Sequence, residues 1–132
     1  MKDSFLHKKF IFNENIDSEF LFSMYEDDFS YIEEIFKTTL DQLNVVILDI
    51  PVSFNNQDVE GLRKIIHKIK PAFGFTGLLN TQKACKDFED ACINIKEADQ
   101  LTNLYLPFWT VISESMETMQ NQYDQLKEFN RQ

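Results

Sequence analysis

Residues 105–126, YLPFWTVISESMETMQNQYDQL, decide the fold class of this chain. Their large apolar side chains recur at spacings of three and four, which places them along one face of an α-helix. These residues are Tyr105, Phe108, Ile112, Met116, Met119, Tyr123 and Leu126. Because an amphipathic helix is stable only when its apolar face is covered, the segment predicts a helix packed against others. Pro107 lies near its start, so we expect either kinked first turns or a later helix start.

Three segments before this one carry the same periodicity, and each has room for one further helix. Their apolar stripes are Phe29, Ile32, Phe36, Leu40, Leu43 and Ile47; Leu62, Ile65, Ile66, Ile69 and Phe73; and Cys85, Phe88, Cys92 and Ile95. A short helix over residues 17–25, capped by Asp17, precedes them. We therefore predict an all-α fold, an antiparallel four-helix bundle with a short extra N-terminal helix over residues 17–132. Residues 1–16 are expected to form an N-terminal arm on this domain.

The connections between the predicted helices are short. Residues 49–56 contain a proline and are expected to form a loop, because the residue before a proline is pushed out of the helical conformation. Asn55 or Asn56 then caps the next helix, and Asn80 or Thr81 caps the one after it.

Length and composition limit the classes of function. A chain of 132 residues with 43% hydrophobic and 27% charged residues is a single globular domain. The excess of 22 acidic over 13 basic residues, a net charge of −9, disfavours binding to nucleic acid or to an anionic membrane. There is no apolar run long enough to cross a bilayer and no secretory leader pattern.

The two cysteines indicate the compartment. Cys85 and Cys92 lie seven residues apart in a predicted helix, about 10.5 Å along its axis, and so cannot form a disulfide with each other. Together with the absence of a leader pattern, this leads us to expect a protein of the reducing cytoplasm.

The charge is unevenly distributed along the chain. Residues 61–86 contain six basic residues and no acidic one. The only histidine in this segment, His67, lies about 150° from the centre of the apolar stripe of its helix, so we expect it on the surface. The neighbours of His67 on the same face are cationic or small: Arg63, Lys64, Lys70, Pro71 and Gly74.

This arrangement suits an imidazole that accepts a phosphoryl group. A neutral imidazole nitrogen is nucleophilic, histidine side chains are partly neutral near pH 7, and lysines can pair with the anionic phosphoryl group. The helical wheel alone fits an exposed histidine on a basic face equally well. The other histidine, His7, lies beside Lys8 and Lys9 in the arm but has no comparable set of neighbours, and it is expected to be a surface residue.

Residues 67–77, HKIKPAFGFTG, resemble the core motif of histidine-containing phosphotransfer (HPt) domains. These domains are four-helix bundles that relay phosphoryl groups between aspartates of response-regulator receiver domains. The family pattern has a histidine, a lysine three residues later and a glycine ten residues later, and His67, Lys70 and Gly77 match it.

Further residues near the motif bear on the resemblance. Asp58 fits the acidic residue near the start of the family's histidine helix, and Phe88 with Glu89 fits a hydrophobic-Glu pair in the next helix. Pro71 departs from the pattern, which usually has glycine there. A proline removes one backbone N–H donor and is expected to kink or loosen the helix after His67.

The resemblance implies roles for particular residues. His67 would carry the phosphoryl group, and Lys70 would steady its oxygens. The compact surface of Pro71, together with the small residues Gly74 and Gly77, would keep the approach of the partner open.

The remaining residues of the segment are assigned to the edge of the site. Phe75 is either an exposed docking contact for a receiver domain or a residue tucked into the following turn. Arg63 and Lys64 are rim charges, for which simple solvation is the competing interpretation.

The expected partners are receiver domains and the kinase that phosphorylates them, including a hybrid histidine kinase. The resemblance to the phosphotransfer family further implies a monomer. The chain has no glycine-rich nucleotide loop, so we expect no autokinase activity, no resident cofactor and no metal site, with Mg²⁺ supplied by the receiver. The acidic run Glu26 to Asp28 is interpreted as a helix start rather than a metal site. Two other functions remain open: a helical adaptor that works without phosphorylation, and an enzyme that uses His67 as a general base.

Overall fold

The computed structural model describes residues 9–132, and every regular element in this part of the chain is a helix. The prediction of an all-α fold is confirmed. His7 lies outside the described residues. The helices are α1 (Ser18–Tyr25), α2 (Phe29–Val46), α3 (Asp49–Asn55), α4 (Val59–Phe75), α5 (Leu79–Cys92) and α6 (Ala98–Arg131).

The four long helices form the bundle. Helix α2 packs against α4 and α6, and α5 packs against the same two helices, so that α2 and α5 lie diagonally opposite. The stripes expected from the sequence meet in the core, where Phe36, Phe73 and Ile112 have no exposed surface. The short helix α1 precedes the bundle as predicted.

Aspartates cap three of the helices at their N-termini. The side chains of Asp17, Asp28 and Asp58 each accept a hydrogen bond from the backbone N–H three residues later, at 2.9, 3.0 and 2.9 Å. The expectation that Asn55 or Asn56 caps α4 was wrong, because Asp58 fills that role. Each cap satisfies an N–H group that has no partner inside its own helix.

Residues 49–56 are mostly helical rather than a loop. Helix α3 begins at Asp49, so Pro51 lies in the first turn, where an N–H group would have no intrahelical partner and its loss costs little. Ile50 is fully buried and anchors this helix to the core. Helix α6 likewise continues through Pro107 from Ala98, which rules out a later start at the proline.

Two further predictions concern helix α5, its N-cap and its two cysteines. Helix α5 begins at Leu79 after Leu78, which makes no side-chain cap, so neither Asn80 nor Thr81 is its N-cap. Cys85 and Cys92 are buried in α5 as free thiols. Burial raises the pKa of the Cys85 thiol to about 12 and that of the Cys92 thiol to about 11, so both remain protonated and unreactive near neutral pH.

Within residues 9–132 no helix combines the length and apolarity needed to cross a membrane.

The described part of the N-terminal arm, residues 9–16, contributes to the core. Phe10 and Phe12 are each only 8% exposed. The ring of Phe10 packs edge-on against Phe129 of α6 with a centroid distance of 5.6 Å, and Phe12 stacks on Phe36 of α2 at 6.3 Å. The arm therefore closes the space between α2 and the C-terminal end of α6.

Gly77 joins the arm to the turn between α4 and α5. Its φ of +77° is one that residues with a side chain rarely adopt. The backbone N–H of Asp17 donates a 2.9 Å hydrogen bond to the Gly77 carbonyl. A Cβ atom on Gly77 would lie 2.9 Å from Cγ2 of Ile16 and 3.0 Å from Cγ of Leu21, so the turn has no room for one.

We predict that Phe12→Ala lowers the free energy of unfolding by about 2–4 kcal/mol, because it leaves a cavity among packed aromatic rings. Its neighbour Ile11 is 85% exposed, so Ile11→Ala should change stability by less than about 0.5 kcal/mol. Urea unfolding followed by circular dichroism measures both. Equal, small effects would mean that the arm does not contribute to the stability of the bundle.

We also predict that Gly77→Ala destabilises the protein by about 1–3 kcal/mol, because of the positive φ and the close contacts. The matched control is Gly74→Ala in α4. There the added Cβ meets only the amide end of the Gln82 side chain, which can move aside. The control should be neutral or slightly stabilising, since alanine is the better helix former. A Gly77→Ala protein as stable as the control would contradict the conformational argument.

Candidate functional site

His67 lies in the middle of α4, on the side opposite its buried stripe. Its side chain is 67% exposed, whereas Ile66 and Ile69 beside it are buried. The surface position expected from the helical wheel is therefore confirmed.

Glu89 of α5 binds both His67 and Lys70. Its Oε1 lies 2.6 Å from Nδ1 of His67, and its Oε2 accepts a 2.6 Å hydrogen bond from Nζ of Lys70. The glutamate itself is only 7% exposed. The close packing of α4 on α5 places one nearly buried carboxylate beneath both side chains.

The charge state of Glu89 determines the tautomer of His67. Burial alone raises the pKa of Glu89, but hydrogen bonds from Lys70 and His67 outweigh it and hold the pKa below its ordinary value of 4.5. Glu89 is therefore an anion near neutral pH and can only accept hydrogen bonds. It follows that Nδ1 of His67 carries a proton and donates it to Glu89, and a neutral ring then has its free lone pair on Nε2.

The Nε2 atom of His67 is free to react. Among the hydrogen bonds formed within residues 9–132, none involves this atom. Nδ1 is the edge of the ring that faces the buried carboxylate, and most of the remaining side chain is in contact with solvent. The arrangement thus presents a nucleophilic nitrogen on a convex helical surface.

Lys70 lies beside His67 but is not a free cation. Its side chain is 21% exposed and its ammonium group is bound to Glu89. An ammonium group has three N–H donors, so two remain after the bond to Glu89. These two are available for oxygens of a group attached to His67, and the role assigned to Lys70 remains a prediction.

The residues assigned to partner docking differ in their surroundings. Lys64 and Pro71 are exposed, whereas the Arg63 guanidinium donates to Glu60 from Nε at 2.6 Å. Helix α4 continues through Pro71 to Phe75, so the proline does not end the helix. Phe75 is 50% exposed, which favours the docking interpretation over a residue tucked into the turn.

The two glycines of the motif do not form part of the exposed surface. Gly74 is buried next to the Gln82 side chain, and Gly77 is buried next to Ile16 and Leu21. The expectation that they keep the approach of a partner open was wrong, because both lie inside contacts of this chain. Gly77 is instead needed for the turn that follows α4.

Most cations of the basic segment are paired within the chain. Arg63 and Lys70 bind glutamates, while Lys83 and Lys86 of α5 bind Asp87 and Asp90. Lys64 and Lys68 take part in no ion pair within the described residues. The two lysines of the segment without a salt bridge therefore adjoin His67 on the side facing α2.

No group of three or more His, Cys, Asp or Glu side chains in the described part of the chain is placed to hold a metal ion. In the acidic run Glu26 to Asp28, Asp28 is the N-cap of α2. That part of the run acts as the helix start expected from the sequence.

Comparisons of this chain with protein-family models, with curated proteins and with solved structures found no match.

We predict that Glu89→Gln disrupts the joint binding of His67 and Lys70 by residue 89. His67 and Lys70 bind different oxygens of Glu89, and glutamine replaces one of these oxygens with an NH₂ donor, so one of the two hydrogen bonds is lost. In ¹⁵N NMR the neutral imidazole should show the Nδ1–H tautomer in the wild type and a mixture of tautomers in the variant. Asp90→Asn, an exposed site on the same helix, is the control and should leave the tautomer unchanged.

The same variant has a predicted pH dependence. Because the pKa of Glu89 is lowered in the folded protein, its carboxylate stabilises the fold above the ordinary pKa, and this contribution disappears as the pH falls through the lowered value. Glu89→Gln should therefore lower the free energy of unfolding by about 1–3 kcal/mol at pH 7. The difference in free energy of unfolding between the wild type and the variant should become smaller below pH 4.5, the ordinary pKa of the group. A difference that stays constant down to pH 3 would contradict the ion-pair assignment.

Proposed function

We propose that this protein is a phosphorelay intermediate. In this role His67 accepts a phosphoryl group from the phosphoaspartate of one receiver domain and passes it to the aspartate of another. The observation that carries the proposal is the bond between Nδ1 of His67 and the nearly buried Glu89, which leaves Nε2 free at the surface. The resemblance of residues 67–77 to HPt domains supports the same function.

The chemistry follows from this geometry. The Nε2 lone pair attacks the phosphorus atom of the acyl phosphate, and the bond from phosphorus to the aspartate oxygen breaks as the carboxylate leaves with its electron pair. The ring becomes positively charged while Nδ1 keeps its proton. Glu89 is placed to stabilise that charge, because a hydrogen bond between two ions is stronger than one between neutral groups. Transfer to the second receiver is the reverse of these steps.

The surrounding cations assist the anion. Lys70 offers its two remaining N–H donors to the phosphoryl oxygens, while Lys64 and Lys68 add a positive field near the ring. In phosphoryl transfer of this kind most of the charge stabilisation comes from Mg²⁺, which the receiver would supply. The protein would act as a cytoplasmic carrier without autokinase activity.

One observation favours the adaptor as a second candidate. Pro71 and Phe75 form an exposed apolar surface that could bind a partner whether or not His67 is phosphorylated. The general-base enzyme has less support. Glu89 orients His67 as a general base requires, but no hydroxyl or thiol of the described residues is hydrogen-bonded to Nε2.

The test uses phosphorylated receiver domains and Mg²⁺, with phosphoramidate as a small phosphoryl donor that needs no docking. We expect acid-labile phosphate on the protein and, by NMR, a bond from phosphorus to Nε2 of His67. His67→Gln should abolish transfer from the receiver domains and remove the phosphoramidate label from this position. No labelling of the wild type by phosphoramidate or by several receivers would contradict the proposal. Partner binding without transfer would favour the adaptor instead.

Lys70→Ala should slow transfer from a receiver by about tenfold or more, the loss expected for a hydrogen bond to a charged group. Lys83→Ala is the matched control, because Lys83 is exposed on α5 and paired with Asp87. Stopped-flow or quenched-flow measurement at saturating receiver isolates the transfer step. Equal rates for the two variants would remove Lys70 from the site.

A further inference from the structure

A groove runs along the surface between α5 and α6, on the side of α5 that faces away from α4. Glu89 of α5 faces α4, where it binds His67, whereas Ala84 and Phe88 of the same helix line the groove beside α6. In the bundle this groove lies opposite the edge at which α2 packs against α4. A molecule bound in the groove would therefore leave His67 uncovered.

The groove has an apolar half and a polar half, which meet at Val111. The apolar half holds about 240 Å³. Its floor is formed by the rings of Phe88 and Phe108, which stack with a centroid distance of 4.3 Å. The polar half holds about 200 Å³ and is lined mainly by hydroxyl, amide and carboxyl groups. One continuous groove thus offers an apolar surface next to a hydrogen-bonding one.

The wall that α6 contributes belongs to the longest uncharged stretch of the chain. Residues 100–113, QLTNLYLPFWTVIS, contain no charged side chain in a protein that is 27% charged. Within this stretch Leu106 and Val111 are 56% and 36% exposed. Exposed apolar side chains that adjoin an apolar groove are typical of a binding surface rather than of scattered surface residues.

Pro107 adds a hydrogen-bond acceptor to this wall. It lies inside α6, where a proline has no N–H to donate to the carbonyl four residues earlier, that of Asn103. The nearby hydroxyls of Thr102 and Thr110 donate to other carbonyls. Asn103 and Pro107 are both exposed, so this carbonyl is open to a donor from outside the chain. A proline inside a helix lowers its stability, and departures of this kind are typical of functional surfaces.

The charges at the groove indicate the chemistry of its partner. Asp87 lines the apolar half, and Glu114 lines the polar half. Asp87 is paired with the exposed Lys83, an interaction that contributes little in water, whereas Glu114 takes part in no salt bridge within residues 9–132. These carboxylates and the Asn103 carbonyl only accept hydrogen bonds. A partner with basic residues beside apolar ones is therefore favoured, and the net charge of −9 also attracts it.

We propose that this groove docks an amphipathic helix of a partner protein, with its apolar side chains in the apolar half and a lysine or arginine paired with Glu114. The lining extends from residue 104 to residue 118 of α6, about 21 Å, which is the length of four helical turns. Such grooves bind a helix through side chains spaced three and four apart. Glu114 lies about 10 Å along α6 from the middle of the apolar half, so the basic residue follows the apolar ones by two turns.

The position of the groove gives this docking a consequence for the carrier. Because the groove and His67 lie on different sides of α5, a bound partner and a receiver domain can occupy the protein at the same time. The partner would hold the protein in place while His67 remains free to react. The docking surface itself does not depend on the phosphotransfer function.

The first experiment uses two synthetic peptides of about 15 residues, a length at which helices become stable in water. Both carry leucines at i, i+3 and i+4. Two turns later one peptide has arginines, and the other has glutamates at the same positions. In ¹H–¹⁵N spectra the arginine peptide should shift resonances of residues 81–88 and 104–118. Equal binding of the glutamate peptide, or shifts confined to other residues, would overturn the proposal.

A pair of substitutions on α6 tests the apolar contact. Val111→Asn should weaken binding of the arginine peptide about tenfold, as expected for a contact at the centre of an interface. Leu106→Asn is the matched control, because Leu106 is exposed on the same helix but does not line the groove. Equal losses in the two variants would overturn the proposal. So would a homodimer, measured by sedimentation, that Val111→Asn abolishes.

Glu114→Gln tests the pairing with a basic residue. It should weaken binding of the arginine peptide about threefold and make binding less sensitive to salt, as for an ion pair near the surface. Glu117→Gln is the control, since Glu117 is exposed on the same helix and lies outside the groove lining. The same losses in both variants would overturn the assignment of the basic residue to Glu114.

Pro107→Ala separates binding from stability. Alanine restores the helical N–H, so the variant should unfold at a higher urea concentration than the wild type. It should also bind the arginine peptide more weakly, because the Asn103 carbonyl then has a partner within α6. Unchanged or tighter binding by this more stable variant would overturn the role of the carbonyl.

Phosphoramidate labelling tests whether the groove is separate from His67. Protein saturated with the arginine peptide should be labelled on His67 as fast as the free protein, and slower labelling would overturn the simultaneous occupancy. If no donor labels His67 but the peptide binds with the expected dependence on Val111 and Glu114, the docking surface stands and the carrier function fails. If His67 is labelled but the peptide does not bind, the carrier function stands and the docking proposal fails.

Discussion

A single carboxylate, that of Glu89, holds the side chains of the candidate site in place. Glu89 is nearly buried and is hydrogen-bonded to His67 and Lys70 at once. A buried anion is tolerated only when it is paired, so the bonds from His67 and Lys70 also make the position of Glu89 stable. The tautomer of His67 and the location of Lys70 are therefore consequences of one interaction, which the packing of α4 on α5 makes possible.

The helices were predictable from sequence because each carries its own periodic stripe. The stripe from Tyr105 to Leu126 indicated a long helix, and the structure extends it on both sides. Helix α3 was missed because a proline is read as a helix breaker unless the helix start is known. Pro51 is harmless only because Asp49 begins the helix, and that start depends on burial of Ile50 against the other helices.

The site was predictable only where its residues share a helix. His67 and Lys70 are three apart on α4, so helical geometry places them together. Glu89 lies 22 residues from His67, and its bond depends on how α4 packs against α5. The role of Gly77 was misjudged for a similar reason, because its positive φ and its contacts with Ile16 and Leu21 arise from the tertiary structure.

The pairing of charges changes the meaning of the basic segment. Its six cations suggested a broad positive surface, but four of them are bound to carboxylates within the chain. Neutralised ion pairs at a solvated surface contribute little electric field at a distance. Salt screens the remaining field, which decays over about 10 Å. The field that an approaching anion meets therefore comes mainly from Lys64 and Lys68. Because both lie on the α2 side of His67, that field is strongest on this side of the ring.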